Sequence, residues 1–143
     1  MQPRGELTTR MLAMPADANP SGDIFGGWVL AQMDIAGGIR AGQQAQRRVA
    51  TVAVEAMHFI KPVHVGDVLC VYAATERTGR TSVAIRLEAW VLRQRLGDRV
   101  KVTEGIFTFV ALDEDGRPTP IGAIARDVQR EDHDGSGSER SGA

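Results

Sequence analysis

The sequence is short of several things, and each shortage narrows what the chain can be. It holds one cysteine, Cys70, so no disulfide can form within the chain, a pattern that fits a reducing compartment. No apolar run is long enough to span a bilayer. The opening MQPRGELTTR is polar and has no apolar stretch of signal-peptide length. Charge is balanced: 17 Lys and Arg stand against 18 Asp and Glu, a net of −1, so the basic footprint of a nucleic-acid binder is missing. These absences predict a soluble, cytoplasmic protein that neither inserts into membranes nor binds nucleic acid.

The common chemical signatures are missing too. There is no G-x-S-x-G elbow and no glycine loop for phosphates. His58 and His64 lack metal-ligand spacing and are expected to be structural. Asp17, Asn19, Ser21 and Gly22 imitate the start of a calcium loop. The acid needed six residues after the glycine falls at Trp28, so no metal site is predicted. Cys70 lies in an apolar strand and is expected to be core.

What is present reads as one domain. The chain has 143 residues, 43% of them hydrophobic and 24% charged, ordinary for a folded α+β protein with a sizeable core. Residues 6–15 predict a short strand closed by Pro15, and ADANPSGD (16–23) predicts a turn-rich loop. From Phe25 to Gln46, Val29, Leu30, Met33, Ala36 and Ile39 recur at helix spacing. Four strands follow. In 52–59, Val52, Val54, Ala56 and His58 are predicted to face one way, and Glu55, Met57 and Phe59 the other. Next come strands at 68–76, 81–93 and 100–112, with turns at 77–80, 95–98 and 113–116. The domain is expected to end near 125. The polar tail 126–143 is expected to be disordered. One helix against about five antiparallel strands leaves edges, and a symmetric dimer is the usual remedy.

The stretch NPSGDIFGGWVLAQMDIAGG (19–38) carries the chemistry. Asp34 stands among apolar neighbours with no Lys or Arg close in sequence, and burying it unpaired would cost several kcal/mol. Its helical neighbours are Leu30, Ala31, Gly37 and Gly38, so the adjoining face is nearly bare. Two explanations stay open. The glycines let the sheet or another helix pack closely while Asp34 is solvated, or the space holds a substrate that Asp34 reacts with or for which it orients water. Gly26 and Gly27 fall at the helix start, where N–H groups lack intrahelical partners and can stabilise an oxyanion. Asn19 is either a turn residue or an amide that holds water or a carbonyl. Gly27 and Asp34 are seven residues apart, about 10 Å along a helix. Reacting groups must approach to about 3–3.5 Å, so the spacing predicts a site shared between two protomers.

MPADANPSGDIFGGWVLAQMDIAGG (14–38) resembles the signature of YciA-type acyl-CoA thioesterases of the hotdog superfamily. The resemblance continues through 49–73, 79–91 and 102–118. It implies a hotdog fold, a helix wrapped by an antiparallel sheet. It implies dimers assembled into a trimer of dimers, and hydrolysis of acyl-CoA to acid and CoA with broad acyl tolerance. It matches the catalytic aspartate to Asp34, the loop asparagine to Asn19 and the oxyanion donor to Gly26–Gly27. No cofactor is implied, since coenzyme A enters only as part of substrate and product. For coenzyme A the expected contacts are Val54, Glu55, Ala56, Met57 and Phe59, then Lys61, then the hairpin exit Arg80, Thr81 and Ser82. Pantetheine can run along strand backbone while basic side chains meet phosphates. Two rivals are a 3-hydroxyacyl dehydratase, disfavoured because residues 15–40 contain no histidine, and a non-catalytic acyl-CoA-binding protein.

Overall fold

The computed structural model describes residues 2–93 and 97–122. The tail 126–143, the domain limit at 125 and part of the predicted turn 95–98 lie outside the described residues. The elements are β1 (Glu6–Leu12), a single 3-10 turn (Pro15–Asp17), α1 (Gly26–Ala45), β2 (Arg48–Phe59), β3 (Val68–Thr78), β4 (Ser82–Leu92) and β5 (Arg99–Leu112). All strand pairs are antiparallel, in the order β1-β3-β4-β5-β2. This is the hotdog arrangement. Among the described residues no helix is long and apolar enough to cross a membrane.

The predicted helix forms with both ends within a residue of expectation. Phe25 occupies the N-cap without a side-chain cap bond, and Gln46 ends the helix in the left-handed region at φ 54°. The buried helix residues are Val29, Met33, Ala36, Gly37, Ala41 and Ala45. They meet Val83, Ile85, Leu87, Val102, Phe107 and Phe109 of the sheet. Small residues let the helix lie close to it. A β-carbon on Gly37 would stand 2.8 Å from Phe109 Cζ and 2.9 Å from a Leu87 methyl, so this glycine serves packing. One on Gly38 would find nothing nearer than 3.9 Å. The bare face beside Asp34 thus has two causes, and only the Gly38 half is open space.

Cys70, Tyr72 and Trp90 form a second apolar cluster apart from the main core. Glu88, which shares its face of β4 with Trp90, is buried. Its carboxylate accepts from Trp90 Nε1 at 3.0 Å, from Arg4 Nε at 2.9 Å and from the Arg4 backbone N–H at 3.2 Å. Burial works to raise the Glu88 pKa, but the bonds from Trp90 and Arg4 and the charge of Lys101 outweigh it. The carboxyl is held below the usual carboxylate range.

β2 departs from the predicted alternation. It begins at Arg48, earlier than expected, and its register with β5 shifts between Thr51 and Ala53 and again between Glu55 and His58. Two β-bulges break the period of two. In the second, Ala56 sits at φ 58° and Met57 turns over Gly105, where a β-carbon would collide with its sulfur.

Candidate active site

Asp34 is exposed in the single chain, as in the first of the two explanations left open by the sequence. The helix flank it occupies faces solvent together with Ile35 and Ile39, which are 53% and 43% exposed. The flank lies against edge strand β2, where Thr51 Oγ1 donates to Asp34 Oδ1 at 2.5 Å. No Lys or Arg pairs with the carboxylate among the described residues. Thr51 was missed by sequence reasoning. Its partner is 17 residues away, and only the register of β2 against the helix joins them.

Gly26 and Gly27 open the helix and are exposed. The first helical bonds here go from Trp28 and Val29 N–H to Phe25 O, so the Gly26 and Gly27 N–H groups have no partner among the described residues. A β-carbon on Gly27 would meet nothing within 4 Å. Gly26 lies under the Phe59 ring, 3.4 Å from its own would-be β-carbon. Beside it opens a cavity of about 310 Å³ lined by Ile24, Val29, Phe59, Ile60, Val63 and Val102, with Lys61 contributing. Unpaired N–H groups at the positive end of a helix, next to an apolar cavity, suit a carbonyl that gains negative charge.

Asn19 is a turn residue in this chain. Its Oδ1 accepts from Ser21 N–H at 2.9 Å and Asp23 N–H at 3.1 Å, while Nδ2 has no partner among the described residues. The loop is tied down by the Ala18–Ile24 and Asp23–His64 bridges and by a 3.2 Å contact between His64 Nδ1 and Asp23 Oδ1.

The expected coenzyme A contacts divide into two groups. Val54, Glu55, Ala56 and Phe59 are exposed along β2, Lys61 lies at the cavity, and Met57 is turned inward over Gly105. Arg80, Thr81 and Ser82 stand at the other end of the sheet, where Thr81 O accepts from Ala111 N–H at 2.8 Å and Arg80 O from Ile121 N–H at 3.0 Å. Lys61 N–H bonds Val102 O, so about nine strand residues, roughly 30 Å of β5, separate Lys61 from the hairpin, whereas Val54 pairs with Phe107 and lies about four residues from it. One chain does not bring Lys61 to the hairpin.

The comparisons agree with this architecture. The sequence profile of the thioesterase superfamily matches residues 21–97. The acyl-CoA thioester hydrolase YciA of Salmonella typhimurium is 52% identical over 122 residues, spanning 83% of this chain and 92% of that protein. The hexameric thioesterase y2039 from Yersinia pestis is 50% identical, with a TM-score of 0.81 over 86% of this chain and 100% of that one. A hexameric broad-specificity acyl-coenzyme A thioesterase, HI0827, is 46% identical, with a TM-score of 0.83 over 91% of this chain and 90% of that one. By sequence and by fold, the chain belongs to the thioesterase superfamily and, within it, to the YciA-type acyl-CoA thioester hydrolases.

Proposed function

We propose that this chain hydrolyses acyl-CoA thioesters to the free acid and coenzyme A, over a broad range of acyl lengths, at a site shared by two protomers. The observation that carries this reading is the exposed Asp34 carboxylate, oriented by Thr51 and about 10 Å along the helix from the unpaired Gly26–Gly27 N–H groups. The names of the Salmonella relative and of HI0827 carry the same activity.

The thioester oxygen rests at the Gly27 N–H of one protomer. Asp34 of its partner takes a proton from water as the water oxygen attacks the carbonyl carbon. The C–S bond then breaks and coenzyme A leaves as a thiolate, which needs no strong general acid. Alternatively, Asp34 attacks the carbon itself and water opens the mixed anhydride. Thr51 occupies Oδ1, which leaves Oδ2 for either course. Asn19 holds the water or the carbonyl through Nδ2.

The dimer forms through the free edge of β2. That edge and its helix flank expose Ile35, Ile39, Val52 and Val54. Uncovered edges of this kind invite pairing. In an antiparallel pair, the start of one β2 lies beside the end of the other. The Arg80–Ser82 hairpin, which neighbours the start of β2 through β5, then approaches the partner's Phe59–Lys61 end. The two halves of the coenzyme A contact set meet across the dyad. Three dimers complete a hexamer, the state named for the Yersinia neighbour.

Thiol release from acetyl-CoA through palmitoyl-CoA tests the reading on wild type and Asp34→Ala. Wild type turns over, and the variant loses at least about a hundredfold in rate, the size of a lost general base. Wild type that binds acyl-CoA without releasing thiol sinks it.

A further inference from the structure

We infer, on the reading that Asn19 Nδ2 holds the water or the carbonyl, that His64 is a positioning residue for that amide and acts on it through Asp23. Asn19 and Asp23 are bonded to each other twice. Asn19 N–H donates to Asp23 O at 2.6 Å, and Asp23 N–H donates back to Asn19 Oδ1 at 3.1 Å. Ser21 N–H donates to the same Oδ1 at 2.9 Å. An amide oxygen engaged by two backbone donors fixes which end of the group is taken, and Nδ2 remains as the available donor. The direction of that donor therefore depends on where Asp23 sits.

His64 fixes Asp23 from outside the loop. A carboxylate only accepts, so His64 Nδ1 carries the proton and donates to Asp23 Oδ1 at 3.2 Å. The two residues also form an antiparallel bridge, and beside it Ile24 N–H donates to Val63 O at 3.0 Å.

His64 is held in turn by a buried group. Asp67 is 2% exposed, and its Oδ2 accepts from His64 N–H at 2.9 Å and from an Arg93 Nη at 3.1 Å. Asp67 N–H donates to His64 O at 3.0 Å, and the same Arg93 nitrogen donates to Pro62 O at 3.0 Å. A chain of bonds thus runs from Arg93, just past β4, through Asp67, His64 and Asp23 to Asn19. Its inner end is buried and charge-paired, which makes it a firm base, and its outer end is the Asn19 amide. The side-chain link that crosses to the loop is His64 to Asp23. Those two side chains are 45% and 48% exposed, so the link has the strength of a modest hydrogen bond.

Steady-state thiol release by the full chain tests this. His64→Leu removes the donor, whereas His64→Asn sets an amide nitrogen close to where Nδ1 stands. His64→Leu should lose about threefold in kcat with KM nearly unchanged, the size of one modest hydrogen bond, and His64→Asn should recover most of that loss. Asn19→Ala should lose about tenfold in kcat. In that background His64→Leu should bring no further loss, because the amide it aims is gone. A His64→Leu loss that persists undiminished beside Asn19→Ala overturns the inference, as does His64→Leu with wild-type kcat or an equal loss in His64→Asn. Asn19→Ala with wild-type kcat also overturns it, while thiol release by the wild type still reads the proposed hydrolysis independently. Should His64→Leu fail to fold, Asp23→Ala removes the same bond from the loop side. It should show the same kcat loss and the same silence beside Asn19→Ala, and an added loss there overturns the inference.

Discussion

Thr51 Oγ1 sits 2.5 Å from Asp34 Oδ1, so a strand residue aims the carboxylate that a helix carries. Replacing Thr51 with valine keeps the shape and removes the donor. A lost hydrogen bond of about 1–1.5 kcal/mol corresponds to roughly tenfold in rate. Thr51→Val is expected to lower kcat by about that factor with KM nearly unchanged, and Thr51→Ser to restore it. A Thr51→Val variant with wild-type kcat, read by thiol release, would show that the hydrogen bond does not aim the carboxylate.

The adjacent glycines Gly37 and Gly38 should respond in opposite directions. Gly37→Ala pushes a methyl against Phe109 and Leu87, at a cost of about 1–3 kcal/mol. Gly38→Ala meets only ordinary contact and gains up to about 1 kcal/mol of helix propensity. Urea melts of the two variants read the difference directly. If Gly38→Ala keeps its stability but loses activity, the open space beside it is used by substrate.

Glu88 gives a pH signature. Its carboxyl is held below the usual range, so the folded state binds fewer protons than the unfolded chain over that window. Its stabilisation is fully present above the unfolded glutamate pKa of about 4.3 and is lost as pH falls through the lower folded value. Glu88→Gln should cost about 1–3 kcal/mol at neutral pH. The gap between variant and wild type should close below about pH 4. A gap that is constant from neutral to acid contradicts the ionised assignment.

Ala56 holds φ 58° inside an edge strand. That conformation costs a non-glycine residue roughly 1–2 kcal/mol. Ala56→Gly should raise the melting temperature by a few degrees, which differential scanning calorimetry detects. A lowered melting temperature would mean that the bulge relaxes in solution.

The fold was legible where periodicity was strong. Val29, Met33 and Ala36 marked the buried helix stripe, and alternating Val83, Ile85, Leu87, Ala89 and Val91 marked the buried face of β4. β2 was misread because a bulge leaves no local mark. Nothing in TVAVEAMHF signals that Ala56 adopts a conformation usual for glycine. Its only trace is Gly105, far along the chain, emptied to receive Met57. The glycine pair at 37 and 38 looked alike in sequence and proved unlike, since a β-carbon on Gly37 would stand 2.8 Å from Phe109 and one on Gly38 3.9 Å from it. Asp34 was singled out among apolar neighbours, and those neighbours divide: Met33 is buried in the core, while Ile35 and Ile39 face solvent.

Those outward-facing neighbours tie folding to abundance. Ile35, Ile39, Val52 and Val54 leave the lone subunit with a greasy seam, and a partner that covers it adds free energy that grows with the logarithm of protein concentration. Melting temperature should therefore climb as the sample is made more concentrated. On dilution, unpairing would silence Asp34 before the chain itself came undone.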